Sequence, residues 1–294
     1  VGLAQAVITP VEPLWLAGYD NRNHPSVGVL DDLVAQAAAF EDAAGNRAVL
    51  LTIDLCVLRK ANVNDVCARI AAQTGLPRER ILVNLSHTHS GPAVDLDDGS
   101  MYAIPEAEQT KLAHYTQTLK QTLATLAVDA LADLQPAQLT YSVGRAEFFE
   151  NRRILGGSGT WAGMGPNPSN HTDRDVPVLQ VAAPDGNVRA VLFGAACHNV
   201  TLGGNNYKIS GDYAAYARRT ILEAFPDAQT MFVTGCGADA NPEPRATADE
   251  EEWVVRHGQS LGTEVVRVLG GSMETVAGGI DTRFQMVDLP LLFV

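Results

Sequence analysis

The sequence predicts an α/β fold: a mixed, mostly parallel central sheet with flanking helices and an added β-hairpin. Three observations predict it. Short apolar runs rich in Val, Ile and Leu alternate with longer stretches whose apolar residues recur at helical spacing. Pro184-Asp185-Gly186 separates two strand-like runs as a hairpin turn does. No repeat or low-complexity linker divides the 294 residues, which predicts one domain over 1–294.

The elements follow in order. After the turn-forming Ala44-Gly45-Asn46, the run 47–58 reads as a buried strand. Residues 62–74 place Val63, Val66, Cys67 and Ile70 at helical spacing, and Gly75 and Pro77 end that helix. A second buried strand over 80–85 runs directly into Ser86-His87-Thr88-His89-Ser90-Gly91-Pro92. The stretch 104–134 predicts a long helix with Pro105 near its start. Residues 138–143 alternate as a strand does, and 156–171, rich in Gly, Pro, Asn and Ser, predicts a long irregular loop. Strands are expected at 176–182, 188–195, 229–234 and 280–289, and helices at 213–225 and 248–269.

Composition excludes several classes. A net charge of −13 argues against nucleic acid, whose phosphates need a basic surface. No apolar run approaches the roughly 20 residues that span a bilayer, so no transmembrane segment is expected. Glu250-Glu251-Glu252 reads as a solvated helix start. The four cysteines at 56, 67, 197 and 236 form no CxxC pair, and Cys56 and Cys67 are expected to pack as small buried hydrophobes.

Polar clusters follow three of the predicted strands: His87 and His89, then Cys197-His198-Asn199, then Gly235-Cys236-Gly237-Ala238-Asp239. Strand ends are where catalytic groups gather in such folds, so the three clusters predict one convergent site. In an extended segment residues i and i+2 face the same way, which would aim His87 and His89 at one centre. Neutral imidazole is a good zinc ligand. The same pair also fits two hydrogen-bonded loop histidines. His198 reads as a ligand or as a structural histidine ending a strand, and Asp212 as a ligand or a helix cap. Cys236 and Asp239 fit a tight turn as well as a metal shell. Arg152 could polarise a substrate, since guanidinium offers rigid paired donors, or simply be solvated. His24, His114, His171 and His257 are expected at the surface or at caps.

The order of segments resembles the N-terminal region of the neutral, non-lysosomal ceramidases. The matching pieces are Ile8-Thr9-Pro10, Leu16-Ala17-Gly18-Tyr19, Gly28-Val29-Leu30-Asp31-Asp32-Leu33 and the strand around Asp54. They continue with Ser86 to Pro92, Asn151-Arg152, the hairpin before His198, Ile209 to Tyr213 and Gly235 to Pro242. The resemblance implies a neutral-ceramidase-like scaffold and a zinc amidase cleaving an N-acyl bond. It implies one zinc ion per chain, held by His87 and His198, with His89 moving protons and Arg152 binding the substrate headgroup. It also implies an extracytoplasmic location. The family's other two zinc ligands, a glutamate and a tyrosine, lie far downstream of the segment matching Gly235 to Pro242 and find no match before Val294. Asp212, Cys236, Asp239 or a partner chain are then the candidates to complete the shell. Gly211 stands where some members carry a serine, so no serine nucleophile is assigned.

Two functions follow as expectations. The first is a zinc-dependent hydrolase of an amide bond, acting on a small-molecule N-acyl substrate that could be smaller than ceramide, with oligomerisation open. The second is a non-catalytic protein that keeps the scaffold and binds a small ligand with an incomplete metal site.

Overall fold

In the computed structural model, which describes residues 1–94, 102–157 and 159–290, strands and helices alternate as the hydrophobic pattern requires. The first part holds β1 (Gly2–Val7), β2 (Gly28–Val29), β3 (Val34–Glu41), β4 (Arg47–Ile53), α1 (Lys60–Thr74), β5 (Ile81–Leu85) and α2 (Glu106–Ala132). Then come β6 (Gln138–Arg145), β7 (Phe149–Asn151), β8 (Arg153–Leu155), β9 (Trp161–Met164), β10 (Asp175–Ala182) and β11 (Val188–Ala195). The last part holds β12 (Lys208–Ile209), α3 (Asp212–Ala224), β13 (Gln229–Thr234), β14 (Ala240–Pro242), α4 (Glu250–Leu269) and β15 (Glu274–Val276).

Two larger sheets form, one in the order β1-β3-β4-β5 and the other β13-β11-β10-β6-β15. They pack face to face, and each is covered on its outer side by two helices. Alternation along β3 shows why. Ala35, Ala37 and Ala39 lie in a core shared with Val66 and Ile70 of α1 and Leu123 and Ala127 of α2. Ala38, pointing the other way, meets Val181, Ala190, Leu192 and Met231 of the second sheet. The second sheet's outer core joins Phe193 and Phe232 to Tyr213 and Ala217 of α3 and Leu261 and Val265 of α4. Gly258 and Gly262 let α3 and α4 approach closely: a Cβ on Gly258 would fall 2.2 Å from the Tyr216 Cβ.

The mixed α/β class and the added hairpin β10–β11 are borne out. Parallel pairing is less extensive than the sequence predicts. It joins β4 to β5 across α1, β11 to β13 across α3, and the short pair β2–β12. The remaining ladders are antiparallel. Helices carry the β4–β5 and β11–β13 crossovers, short hairpins return β3–β4, β8–β9 and β10–β11 antiparallel, and longer connections bring the other antiparallel neighbours together. Other boundaries also differ. The strand expected over 47–58 stops at Ile53, because Asp54 turns inward to an ion pair. The loop expected over 156–171 holds β9, paired with β8. No strand forms over 280–289 among the described residues. That stretch runs unpaired, with Phe284 stacked beneath the Arg78 guanidinium.

The halves are stitched together by buried polar contacts. Arg218 on α3 pairs with Asp54 at the end of β4, both nearly inaccessible to water. The Asn84 amide of β5 exchanges hydrogen bonds with the Thr234 backbone of β13, at 3.0 and 2.9 Å. This second clasp sets the ends of β5 and β13 side by side.

Candidate metal centre

Beyond β5 the chain is held against β4, with Ser86 N–H donating to the Ile53 carbonyl at 2.9 Å and His87 N–H to the Leu55 carbonyl at 3.0 Å. His87 then takes φ +60°, the left-handed region that non-glycine residues seldom occupy. The expected extended alternation is therefore not what joins the two histidines. A left-handed kink at His87 turns the ring of His89 back onto it. Such strain persists where neighbouring contacts over-determine it. Here Thr88, fully buried, donates its hydroxyl to the Ser210 carbonyl at 2.7 Å, and Ser210 N–H donates to the Ser90 carbonyl at 3.1 Å.

The three imidazoles the sequence singled out come together. Ring centroids lie 4.7 Å apart for His87 and His89, 4.8 Å for His87 and His198, and 5.9 Å for His89 and His198. The Nε2 atoms of His87 and His89 are 3.3 Å apart. His87 Nδ1 lies 2.8 Å from the Cys56 carbonyl, and His198 Nδ1 lies 2.7 Å from the Gly237 carbonyl. Protons on these Nδ1 atoms leave each Nε2 with its lone pair free, the usual orienting contact of metal-binding histidines. The donor set fits a borderline-soft divalent cation. His87 and His198 face an open cavity of about 330 Å³, with Asn84, Cys56, Cys236 and Ala238 on its walls.

Burial, more than charge, favours the neutral form of His89 and His198. Burial, then His87 and His198, then Arg22 and Arg245 push His89 down to about 2. His198 falls to about 4 through burial, with Arg152 and His87 adding to it against the opposing Gly237 contact. Neutral rings keep the lone pairs that ligation or proton transfer needs. His89 Nδ1 is buried without a hydrogen-bond partner among the described residues. It packs over Gly18, whose φ of +100° and missing Cβ make room for the ring.

The remaining sequence candidates are placed as follows. Arg152 lies beside His198, its Nε donating to the Ala238 carbonyl at 3.0 Å, and burial lowers its pKa. Asp212 starts α3, and its carboxylate accepts from the backbone N–H groups of Thr201, Leu202 and Tyr213 at 2.7 to 3.0 Å. Those bonds occupy both carboxylate oxygens and tie the 201–202 loop to the start of α3. Asp239 accepts from Arg152 N–H through its own carbonyl, and its carboxylate sits 3.5 Å from the Asn151 amide nitrogen. Cys236 is exposed on the cavity wall, whereas Cys67 and Cys197 are buried. Cys56, His87 and His89 offer ligand atoms within 4.8 Å of one another. Burial pushes the Cys56 thiol up to about 12, and its Sγ rests 3.8 Å from Nδ1 of His87. His257 is buried, contrary to expectation, stacked on Phe148 and 2.9 Å from the Pro244 carbonyl.

Several residues were missed at the sequence level. Tyr19 meets His89 edge-on, donates to the Leu202 carbonyl at 2.9 Å and accepts from Arg245 at 2.8 Å. Arg22 is buried and donates to the carbonyls of Ala17, His89 (2.7 Å) and Asn206 (3.0 Å). Ser210 donates its hydroxyl to Asp31, whose other oxygen accepts from Gly211 N–H at 2.7 Å. The Leu16-Ala17-Gly18-Tyr19 segment flagged Tyr19 without a role, while Arg22 and Arg245 carried no local signal.

Comparison with known proteins identifies the family and the fold. A family model described as neutral/alkaline non-lysosomal ceramidase, N-terminal, matches residues 1–243. Neutral ceramidase B of Dictyostelium discoideum is 27% identical over 209 residues, which is 69% of this chain and 28% of that protein. Neutral ceramidase of Pseudomonas aeruginosa is 25% identical over an alignment covering 99% of this chain and 45% of that protein. A crystal structure of neutral ceramidase from Pseudomonas aeruginosa superposes with a TM-score of 0.77 at 21% identity, over 94% of this chain and 45% of that one. The chain thus spans less than half the length of these relatives. With the family model matching most of its residues, the chain belongs to the neutral/alkaline non-lysosomal ceramidase family and corresponds to its N-terminal region.

Proposed function

We propose that this chain carries the imidazole side of a zinc amidase site that cleaves the N-acyl bond of a small amide. His87 and His198 hold the ion through Nε2, Cys56 and Gly237 orient those rings, and His89 handles protons. The observation that carries this reading is the pair of Nδ1-to-carbonyl contacts at 2.8 and 2.7 Å on rings whose centroids lie 4.8 Å apart. Zinc, when bound, polarises an amide carbonyl and brings the pKa of a bound water towards neutrality.

The chain's own residues supply the rest. Neutral His89 takes a proton from the attacking water at Nε2 and delivers it to the departing amine nitrogen as the C–N bond breaks. The product acid keeps the new C–O bond. Arg152, beside His198 with one guanidinium edge on the Ala238 carbonyl, orders the polar end of the substrate. Arg22 and Arg245 add positive potential, which favours the negative charge developing on the carbonyl oxygen. An extracytoplasmic location belongs to this reading through the family alone, and no described helix is long and apolar enough to cross a membrane.

Metal analysis of the purified chain, with hydrolysis of a short N-acyl amide, tests the proposal. Zinc near one per chain, lost in His87→Ala and His198→Ala, supports it together with turnover. Zinc without turnover moves the chain to the ligand-binding reading. Absence of zinc after supplementation overturns the centre.

A further inference from the structure

The β8–β9 hairpin stands next to the histidine cavity and exposes four large apolar side chains, Ile154, Leu155, Trp161 and Met164, with Trp161 65% exposed. Leu155 pairs with Trp161 and Arg153 with Met164, so the apolar groups are grouped by the ladder rather than scattered. From Ile154 through Thr172 the sequence holds no Asp, Glu, Lys or Arg, in a chain of net charge −13. The hairpin's root is basic. Arg152 and Arg153 both donate to the Ala238 carbonyl, at 3.0 and 2.9 Å, one residue beyond the Gly237 carbonyl that orients His198.

An uncharged, tryptophan-bearing tip over a guanidinium root matches the layering of a lipid interface. Indole settles between headgroups and acyl chains, aliphatic side chains enter the apolar layer, and guanidinium pairs with phosphate. The acidic remainder of the protein would be repelled by an anionic surface, so the matching surface is zwitterionic. We propose that the β8–β9 hairpin docks this protein on a zwitterionic lipid surface, with Leu155 and Trp161 inserted and Arg153 at the phosphate layer. Docked this way, the histidine cavity opens beside the bilayer. The proposal rests on the amidase reading only in making a lipid amide the substrate presented there.

Co-sedimentation of the whole chain with phosphatidylcholine vesicles tests it. Wild type binds, with a blue shift in tryptophan emission. Leu155→Ser combined with Trp161→Ser lowers vesicle affinity by about tenfold or more, the loss expected for removing two inserting groups. Trp161→Phe keeps most of the affinity but loses the blue shift, and Val11→Ser, exposed elsewhere, changes neither. Unchanged circular dichroism shows that the variants fold. Equal sedimentation of wild type and the double variant overturns docking. So does failure of wild type to bind, or a self-association in sedimentation velocity that the double variant abolishes without a vesicle effect. Vesicle binding without hydrolysis of a water-soluble amide keeps the docking and sinks the amidase; the reverse outcome does the opposite.

Discussion

Thr88 and Ser210 clasp each other across the two halves of the fold: the Thr88 hydroxyl donates to the Ser210 carbonyl at 2.7 Å, both residues fully buried. Ser210 N–H returns a bond to Ser90 at 3.1 Å, and Ser210's own hydroxyl goes to Asp31. The strained loop carrying His87 and His89 is thereby fixed from the far sheet's helix layer. Ser210 is occupied in holding that loop.

Replacing Thr88 by Val keeps the shape and leaves the Ser210 carbonyl unpaired. The expected cost is about 1–3 kcal/mol in urea unfolding. Zinc affinity should fall by about tenfold or more, as when an orienting partner is lost, while Thr88→Ser restores it. Parallel unfolding and zinc titrations check this. Stability loss at unchanged zinc affinity would show that the clasp supports the fold and not the histidines.

Gly18→Ala puts a Cβ 2.4 Å from the His89 ring at a backbone φ of +100°. Both terms oppose it, and about 1–3 kcal/mol of destabilisation is expected. Because the clash falls on His89 and not on His87, turnover should drop further than zinc content. Equal loss of both would place His89 among the ligands.

The Arg218–Asp54 pair is buried on both sides. Asp54→Asn alone strands a cation inside the protein and should cost about 3–5 kcal/mol. Pairing it with Arg218→Met should recover most of that loss, measured by chemical denaturation of the single and double variants. Simple additivity would mean that the two side chains do not act as a pair.

Acid should act through His89. Its folded pKa is depressed to about 2 from 6.5, so the neutral ring's contribution is full above 6.5 and lost as pH falls below it. Metal-free wild type should lose stability relative to His89→Gln by up to about 1.4 kcal/mol per pH unit on going below that value. Asp31 carries the opposite sign. Burial raises it from 3.8 to about 6, so its contribution is full at low pH and lost as pH rises through that window. Asp31→Asn should therefore gain on wild type as the medium moves from acid to neutral. Urea midpoints across the range decide both. A His89→Gln difference that does not change with pH would refute the burial argument.

Much of the site could be read in the residues. His87, His89 and His198 each follow a strand that its apolar run identifies, and parallel neighbours end at the same rim. Asp212 kept both readings in sequence because a capping carboxylate and a ligating one look alike; in the structure its oxygens accept three backbone N–H groups, two of them from the 201–202 loop. The strand expected over 280–289 has the right pattern, but a strand needs a partner with free hydrogen-bonding groups, and none pairs with it among the described residues. His257 was misjudged because a polar residue on a helix is usually outside, whereas here Phe148 stacks over it.

By itself the sequence determined the alternation of strands and helices, the hairpin, the strand-end histidines and the family to which the pattern points, since periodicity and short motifs are local properties. Tertiary structure decided which strands run parallel, the left-handed turn at His87, the carbonyls that orient two of the rings, and the burial that lowers the pKa of His89. Those depend on residues well separated along the chain meeting in space, 31 positions apart for Cys56 and His87 and 39 for His198 and Gly237. Coulomb and hydrogen-bond terms act over a few ångströms of distance and take no account of separation along the chain.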